Sequence, residues 1–396
     1  MIFTLEALEA KYGDSLILHY GQENHPRFIV IDGGPSGVYR QSLAPRLAKL
    51  REKWAGNEPL DIEMVMVSHL DSDHVKGIVD WTAALVEEEE QAGEASANIL
   101  TLWHNTFDDI VGNDQYGVIA SLSASIQRSG DVVIIPPGLP LSRKTGLVLA
   151  TVAEGRSLRQ NAEKLNIDVN PKFGRLVMAP KSGKKIVHWG DGLKFTVVSP
   201  SAARLAVLQV EWDKKIKELK KKGKLNTAEA QVELADYLDK SPYNLSSIVV
   251  LAECGGKRML LTGDARGDFI LDGLQAAGLV HPGAKCRVDL LKIQHHGSAH
   301  DTTQEFFETV VADHYVISAN GKYGNPDTPT LQMLSDARGN EEFTLYLTNK
   351  DGENGLGSRL AGFFKKEKAR GKTYKVVCRE DSALSVRVDL LKAVNY

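Results

Sequence analysis

Four potential metal ligands lie within six residues of the stretch VMVSHLDSDHVKGI, which spans positions 65–78. They are His69, Asp71, Asp73 and His74, and they follow an apolar run of strand length. Charged groups at the end of a buried strand are costly unless a partner neutralises them, and no basic residue lies among these four. A metal cation would be such a partner, so the pattern predicts a metal site.

Further imidazole and carboxylate groups stand at the ends of other apolar runs. Separate segments of an α/β sheet can deliver ligands to one place, because sites form at the carboxyl ends of the strands. The stretches FIVIDGG, ILTLWH, MLLTGD and LLKIQHH supply Asp32, His104, Asp264, His295 and His296. We expect several of these side chains to join the 69–74 group.

The donor types restrict the metal. Imidazole and carboxylate without thiolate suit zinc, manganese or iron(II) rather than magnesium alone. The candidates outnumber the ligands of one tetrahedral ion, which predicts two Zn²⁺ ions sharing a carboxylate, with Mn²⁺ as the alternative. Such a pair lowers the pKa of bound water towards neutrality and stabilises charge on a phosphoryl or carbonyl oxygen.

Cysteine takes no part in this site. The three cysteines, Cys254, Cys286 and Cys378, are far apart in the sequence and form no CxxC pair. A disulfide framework and a cysteine-based zinc site are therefore not expected, and the thiols favour a reducing, cytoplasmic environment. The sequence also shows neither a signal-peptide pattern nor an apolar run long enough to span a membrane.

The elements that must position these ligands alternate between strand and helix. Residues 1–110 contain β-rich runs such as SLILHY, FIVIDGG and IEMVMVSHL, separated by segments with helical apolar spacing. More strands follow in RLVMAP, KIVHWG and LKFTVVSP, and CGGKR joins two strands as a hairpin. The pattern predicts an α/β fold, with sheets covered by helices.

One charged stretch interrupts the pattern. The run KKIKELKKKGK, at 214–224, is interpreted as part of a solvated helical hairpin turning at Gly223, inserted at about 205–242. A nucleic-acid contact is the alternative. The formal net charge of −3 over 396 residues is unlike that of a strongly basic nucleic-acid binder, although a local basic groove stays compatible with it. We predict one domain over 1–350 and a C-terminal extension, 351–396, packed on it.

The stretch SHLDSDHVKG resembles the signature of the metallo-β-lactamase superfamily, His-x-His-x-Asp-His, with Asp71 in place of the second histidine. This variant is similar to the hydrolase domain of ComEC-type DNA-uptake proteins and their soluble relatives. Other matching pieces occur in the expected order over about residues 5–335: KYGDSLILHYG, VIDGGPSGVY, SPYNLSSIVVL, LLTGDA, IQHHGSAH and ISANGKYGNPD. The resemblance implies a four-layered αββα sandwich with the site at the sheet edge.

The resemblance also implies a role for each candidate. His69 and Asp71 would bind the first metal, Asp73 and His74 the second, Asp264 would bridge, and His295 or His296 would complete the second site. Adjacent strand residues point to opposite faces, so both histidines could coordinate only if the strand breaks, which Gly297 permits. Asp32 would orient the ligand loop.

Two positions depart from the superfamily pattern. His104 stands where a further ligand is often found, and a structural role is equally compatible with its surroundings. Asn325 replaces a histidine of close relatives; it can donate a hydrogen bond but cannot shuttle a proton. The unligated member of the His295–His296 pair is then the candidate general acid. Asp71 adds negative charge, which favours manganese or weakens that site.

These features together predict a metal-dependent hydrolase, with a phosphodiester in DNA, RNA or a small molecule as substrate. The catalytic candidates are Asp73, His295, His296 and Asn325. A second hypothesis keeps the metals and changes the substrate to a phosphorylcholine ester, a lactone or a thioester. A third, motivated by Asp71 and Asn325, is a scaffold protein with a degenerate site. The sequence makes no prediction about protein partners.

Overall fold

A computed structural model describes residues 1–111, 126–129, 132–135, 142–222 and 246–396. The strands up to residue 169 are β1 (Ile2–Leu8), β2 (Ser15–Gln22), β3 (His25–Gly33), β4 (Leu60–Ile62), β5 (Met64–Met66), β6 (Ala97–Ile99), β7 (Thr101–Trp103), β8 (Gln127–Ser129), β9 (Val132–Ile134) and β10 (Asp168–Val169). They are followed by β11 (Lys185–His188), β12 (Lys194–Ser199), β13 (Val249–Cys254), β14 (Lys257–Leu261), β15 (Cys286–Lys292), β16 (Val310–Ile317), β17 (Thr344–Leu347), β18 (Lys375–Cys378) and β19 (Ser385–Asp389).

Helices connect many of these strands. In chain order they are α1 (Ala44–Trp54), α2 (Ser72–Ala92), α3 (Phe107–Val111), α4 (Arg143–Lys164), α5 (Ala202–Lys221), α6 (Gly267–Ala276), α7 (Gln304–Thr309), α8 (Thr328–Arg338) and α9 (Leu356–Ala369). Short helical turns lie at Tyr39–Leu43, Gly190–Gly192, Gln294–Gly297 and Glu353–Gly355. The protein is therefore of the mixed α/β class that the alternating pattern predicts.

Two large sheets organise the described residues. The first has seven strands in the order β10-β7-β5-β3-β2-β1-β19, and the second has eight in the order β11-β12-β13-β14-β15-β16-β17-β18. Two further sheets have two strands each, β4–β6 and β8–β9. The final strand, β19, pairs antiparallel with β1, so the end of the described chain returns to the first sheet.

The apolar side chains of these sheets fall into three clusters. One cluster joins faces of both sheets, with Leu18 and Ile29 from the first and Phe195 and Leu290 from the second. Alternate residues of a strand point to opposite faces, so Val30 instead belongs to a cluster with α1, α2 and α4. The third cluster joins the second sheet to the helices α6 to α9.

A close glycine contact fixes α2 against β3. A Cβ added to Gly77 would lie 1.8 Å from the carbonyl oxygen of Gly33, and one added to Gly33 would lie 2.4 Å from the amide nitrogen of Ile78. The backbone of the helix therefore touches the backbone of the strand, which side chains at these positions would prevent. The second turn of α2, at Gly77, therefore lies directly beside the end of β3.

Parallel pairing aligns strand ends at one edge of each sheet. In the first sheet, β3, β5, β7 and β10 run parallel; in the second, β14 to β18 do. The segments that follow β5, β7, β14 and β15 carry the histidines and Asp264 singled out in the sequence. This is the arrangement in which separate strands can contribute to one site.

Two stretches differ from the sequence expectation or leave it open. RLVMAP was expected to be a strand, but it forms only an isolated bridge between Ala179 and Ser201. The predicted hairpin insertion begins as the helix α5, whereas its turn at Gly223 and its second half fall outside the described residues. Among the helices of the described part of the chain, none is both long enough and apolar enough to cross a bilayer.

Candidate metal centre

Four imidazole rings surround one buried carboxylate. Asp264 follows β14, and its Oδ2 lies 3.7 Å from His69 Nε2, 3.7 Å from His295 Nε2 and 3.6 Å from His296 Nε2. Its Oδ1 lies 3.2 Å from His74 Nε2. These histidines come from two distant parts of the sequence, and each presents its Nε2 atom to the same aspartate.

The Nδ1 atoms of two rings are held by hydrogen-bond acceptors. His296 Nδ1 lies 3.1 Å from the carbonyl oxygen of Ser318, and His74 Nδ1 lies 2.8 Å from Asp32 Oδ2. Both acceptors assign the ring proton to Nδ1, which leaves a lone pair on each Nε2 when the rings are neutral. These two Nε2 atoms are only 3.3 Å apart. Two facing lone pairs repel each other, so the arrangement calls for a cation between them.

Asp32 also positions the third ring through Ser68. It accepts hydrogen bonds from the backbone amide and the hydroxyl of Ser68, each at 2.7 Å. Because that hydroxyl donates to Asp32, its oxygen can accept from His69 Nδ1, which is 3.1 Å away. His69 Nε2 is then buried without a hydrogen-bond partner among the described residues. One carboxylate thus contacts one imidazole directly and a second through Ser68.

The fourth ring depends on an unusual turn after β15. His295, His296 and Gly297 all have positive φ, at 47°, 54° and 82°. For histidine this left-handed backbone costs on the order of 1–3 kcal/mol per residue, and such strain often marks functional positions. The strand ends at Lys292, before the pair. Both histidines therefore face Asp264, and the expected alternation of sides does not apply.

A lysine and an aspartate that sequence analysis did not single out complete the site. Asp14 Oδ1 lies 3.4 Å from His296 Nδ1, and Asp14 Oδ2 accepts a hydrogen bond from Lys292 Nζ at 2.7 Å. Both side chains are buried. Asp14 stands in the matching piece KYGDSLILHYG, which gave no role to it, and the ion pair with Lys292 crosses 278 positions of sequence.

The start of α2 brings two more carboxylates. Asp71 caps the helix with its backbone but makes no side-chain capping bond, and its Oδ2 lies 3.7 Å from His69 Nε2. Asp73 Oδ2 lies 3.4 Å from His296 Nε2. The positive end of the helix dipole points towards the same region and stabilises these negative charges.

Mutual attraction between imidazoles and carboxylates shifts their pKa values. Burial acts to raise the pKa of Asp264, but His74 and the other rings outweigh it, so the pKa lies well below its usual range. Burial acts in the opposite direction on His296, whose pKa Asp264 and Asp14 raise to about 10. For His295 the same balance of burial and Asp264 gives a pKa raised to about 8. Without a metal, protons therefore supply the positive charge that the carboxylates require.

The residues fit a divalent cation. Asp14, His74, Asp264 and His296 each offer a ligand atom within 4.8 Å of the others. Two ligands at about 2.1 Å from a tetrahedral ion lie roughly 3.4 Å apart, which matches the separations around Asp264. Asp14 Oδ1, His69 Nε2 and Asp264 Oδ1 are buried and make no hydrogen bond to the described residues, as expected of atoms that point at an ion.

Two candidates lie apart from this convergence. His104 lies near Leu70, under Gly155 of α4. Burial, and to a smaller extent Arg159, lowers its pKa to about 3. Its ring nitrogens make no hydrogen bond within the described residues. The Asn325 amide lies 3.4 Å from the carbonyl oxygen of His295, so it contacts the backbone of the turn. Within the described part of the chain, neither the His104 nor the Asn325 side chain contacts Asp264.

Comparison with known proteins gives a limited likeness. No family model matches the chain. It is 37% identical over 98 residues to ComE operon protein 3 of Bacillus subtilis (strain 168), a match that covers 24% of this chain and 12% of that protein. Among solved structures, a point mutant of the β-hydroxylase CmlA aligns with 97% of this chain and 54% of its own, at 12% identity and a TM-score of 0.34. A proposed metal-dependent hydrolase from Parabacteroides distasonis ATCC 8503 aligns with 87% of this chain and 98% of its own, at 11% identity and a TM-score of 0.31.

Proposed function

We propose that this chain is a metal-dependent phosphodiesterase that carries two divalent ions on an αββα metallo-β-lactamase framework. The observation that carries the proposal is the convergence of four Nε2 atoms on Asp264 at 3.2–3.7 Å. The motif SHLDSDHVKG and the ordered pieces shared with ComEC-type proteins support it. The local identity to ComE operon protein 3 adds to that support.

The donor atoms divide into two sets around Asp264. His69 and Asp71 would hold one ion; Asp14, His74 and His296 would hold the other, with Asp73 beside His296. Zn²⁺ suits these nitrogen and oxygen donors, and the extra carboxylates make Mn²⁺ the alternative. When bound, the ions would lower the pKa of a water molecule and neutralise charge on the phosphoryl oxygens.

His295 is the residue placed to move a proton. Its side chain is 32% exposed, whereas those of His69, His74 and His296 are at most 3% exposed, so a substrate can approach it. Asp301 holds its Nδ1 at 2.5 Å, which keeps Nε2 directed at the site. We assign to His295 the protonation of the leaving alkoxide, a role that Asn325 cannot fill. Asn325 would steady the turn through the His295 carbonyl.

The test is hydrolysis by the full chain of bis(p-nitrophenyl) phosphate and single-stranded DNA, with Zn²⁺ or Mn²⁺ added and metal content measured in parallel. Turnover that the Asp264→Asn variant lacks is the expected result. A phosphorylcholine ester, a lactone and a thioester belong in the same panel. Turnover of one of these alone, or no phosphodiester cleavage by fully loaded protein, would overturn the assignment.

A further inference from the structure

An exposed tyrosine stands beside the candidate metal centre. Tyr323 is 67% exposed, the largest exposed fraction among the big apolar and aromatic side chains of the described residues. It lies in the loop between β16 and α8, in the stretch NGKYGNPD. Single exposed aromatics are common on protein surfaces, so what matters is how this ring is held and what surrounds it.

The loop that carries Tyr323 is tied down on both sides of the ring. Asn354 Nδ2 donates to the carbonyl oxygens of Gly321 and Lys322 at 2.9 and 2.7 Å, and the Gly324 amide donates to Gly321 at 2.9 Å. The Tyr12 ring meets the Tyr323 ring edge to face, with centroids 5.2 Å apart and planes at 80°. A ligand that stacks on Tyr323 therefore meets a ring that is already ordered.

Short contacts connect this ring pair to the imidazole cluster. Tyr12 is two residues before Asp14, and the intervening Gly13 accepts a hydrogen bond from the Ser318 hydroxyl at 2.6 Å. The carbonyl oxygen of the same Ser318 holds His296 Nδ1. On the other side, Asn325, two residues after Tyr323, contacts the carbonyl oxygen of His295. Both segments that carry the ring pair therefore adjoin the imidazole cluster.

The positive charge of Lys322 beside the two rings favours anionic ligands over cationic ones. Lys322 Nζ lies 3.9 Å from the centroid of Tyr12 and 5.7 Å from that of Tyr323. The ammonium group already occupies the position that a quaternary ammonium would take over an aromatic face, and it would repel such a ligand. It attracts phosphate instead. An aromatic ring with a cation close to it is the combination that binds an unpaired base and its phosphate.

We propose that Tyr323 stacks on an unpaired nucleobase while Lys322 contacts the phosphate that joins this nucleoside to its neighbour. The assignment rests on the proposed phosphodiesterase and narrows its substrates to nucleoside phosphodiesters. Tyr12 is a positioning residue that braces the stacking ring. A single-stranded nucleic acid and a dinucleotide share this chemistry and are separated by the experiment.

The kinetic arm compares two esters with the same leaving group, thymidine 5′-(p-nitrophenyl phosphate) and methyl p-nitrophenyl phosphate. We expect Tyr323→Ala to lower kcat/KM about tenfold for the thymidine ester and leave the methyl ester unchanged, since one stacked base contributes roughly that factor. Tyr323→Phe should keep full activity. Equal losses on both esters, or none on either, would contradict the stacking role.

The binding arm needs no catalysis. The full-length protein in EDTA is titrated into a fluorescent thymidine decamer, an abasic decamer and the dinucleotide TpT, with anisotropy as the readout. Tyr323→Ala should weaken binding of the decamer about tenfold and not that of the abasic strand. Lys322→Ala should weaken both and reduce their salt dependence, while Lys49→Ala, an exposed lysine on α1, should change neither.

The two arms separate the possible failures. If the wild-type protein cleaves no phosphodiester but Tyr323→Ala weakens binding of the decamer, the proposed function is wrong and the stacking site stands. If Tyr323→Ala binds the decamer and TpT as tightly as wild type does, the stacking site is wrong whatever the activity. Loss confined to the decamer identifies a strand as the ligand, and an equal loss with TpT identifies a dinucleotide.

Discussion

Two buried clusters of histidine and carboxylate in the described part of this protein are built differently. The cluster within the first sheet pairs Glu6 with His19 Nε2 at 2.8 Å and with Arg46 Nε at 2.8 and 3.0 Å. Ser385 donates to the same carboxylate, and the Tyr396 hydroxyl lies 3.3 Å from the other ring nitrogen of His19. Both carboxylate oxygens and both ring nitrogens have a partner, and an arginine supplies the charge.

In the cluster around Asp264, several polar atoms have no such partner among the described residues. Ring nitrogens face one another, and buried atoms of Asp14, His69 and Asp264 make no hydrogen bond to the described residues. The buried Lys292 binds Asp14 through its other oxygen, Oδ2. Burial of histidine and carboxylate is therefore not the sign of a site. Burial with convergent, unpaired ligand atoms is the better sign, because a bound cation would pair these atoms.

The largest effects should separate the two clusters. Asp264→Asn removes the shared charge, so metal content should fall and hydrolysis should drop by more than the roughly 100-fold that loss of an outer partner costs. Glu6→Gln should keep its metal but lose about 3–5 kcal/mol of unfolding free energy, because it leaves a buried arginine without its counter-ion. Metal analysis and urea unfolding of both variants check this. If Asp264→Asn and Glu6→Gln lost metal to the same extent, the two clusters would not differ in metal binding.

A smaller effect is expected from Asp32, which orients His74 directly and His69 through Ser68. Asp32→Asn keeps the shape and weakens the alignment, so metal affinity should fall about 10–100-fold. Titration with Zn²⁺ against a competing chelator measures it. An unchanged affinity would show that the imidazoles hold their positions without this carboxylate.

The pH dependence of stability should also differ between the clusters. In the metal-free protein, the pKa values of His295 and His296 are raised from 6.5 to about 8 and about 10. Their contribution is fully present below pH 6.5 and is lost as the pH rises through these values. For His295 it is at most about 2 kcal/mol. Urea unfolding in EDTA, with His295→Gln as the reference, should show the difference between the two proteins shrinking as the pH rises from 6.5 to 8 and nearly absent above pH 8.

The Glu6 cluster should respond at the acid end. Burial acts to raise the pKa of Glu6, but His19 and Arg46 lower it from 4.5 to about 2. Its contribution is therefore present above pH 4.5 and is lost as the pH falls towards 2. In the same unfolding series, the difference in unfolding free energy between the wild type and Glu6→Gln should disappear as the pH falls from 4.5 towards 2. If the stability advantage of the wild type over Glu6→Gln were lost at alkaline pH instead, the titrating group would not be Glu6.

The smallest effect is expected at His104. Its ring is buried without a hydrogen bond inside the described residues, and it lies under α4. Replacing an unpaired polar ring by an apolar side chain of similar size is often nearly neutral. His104→Leu should therefore change stability by about 1 kcal/mol or less and leave metal content intact. Loss of one ion per chain in that variant would make His104 a ligand.

The sequence predicts the parts of the site that are local and leaves out those that depend on distant contacts. His69, Asp71, Asp73 and His74 are close together, and the apolar run before them marks the strand end. Asp264 and the His295–His296 pair follow other strands and could be added by the same rule. The mixed α/β class follows from the alternation of periods in the same way.

The missed residues have no local signal. Asp14 lies in a loop between β1 and β2, and its role depends on Lys292 and His296 from the second sheet and the turn after it. The turn that lets both histidines face Asp264 could not be read from periodicity, because a strand pattern predicts alternation. The failed strand at RLVMAP has the same cause, since its pairing partners are set by tertiary contacts.

The most direct test of the central claim is a crystal structure with Zn²⁺ or Mn²⁺ and anomalous data at the metal edges. We expect two peaks on either side of Asp264, one of them within about 2.0–2.2 Å of ligand atoms from Asp14, His74 and His296. A fully soaked crystal with no anomalous peak there, or with Asp264 outside the coordination sphere of every ion, would contradict it.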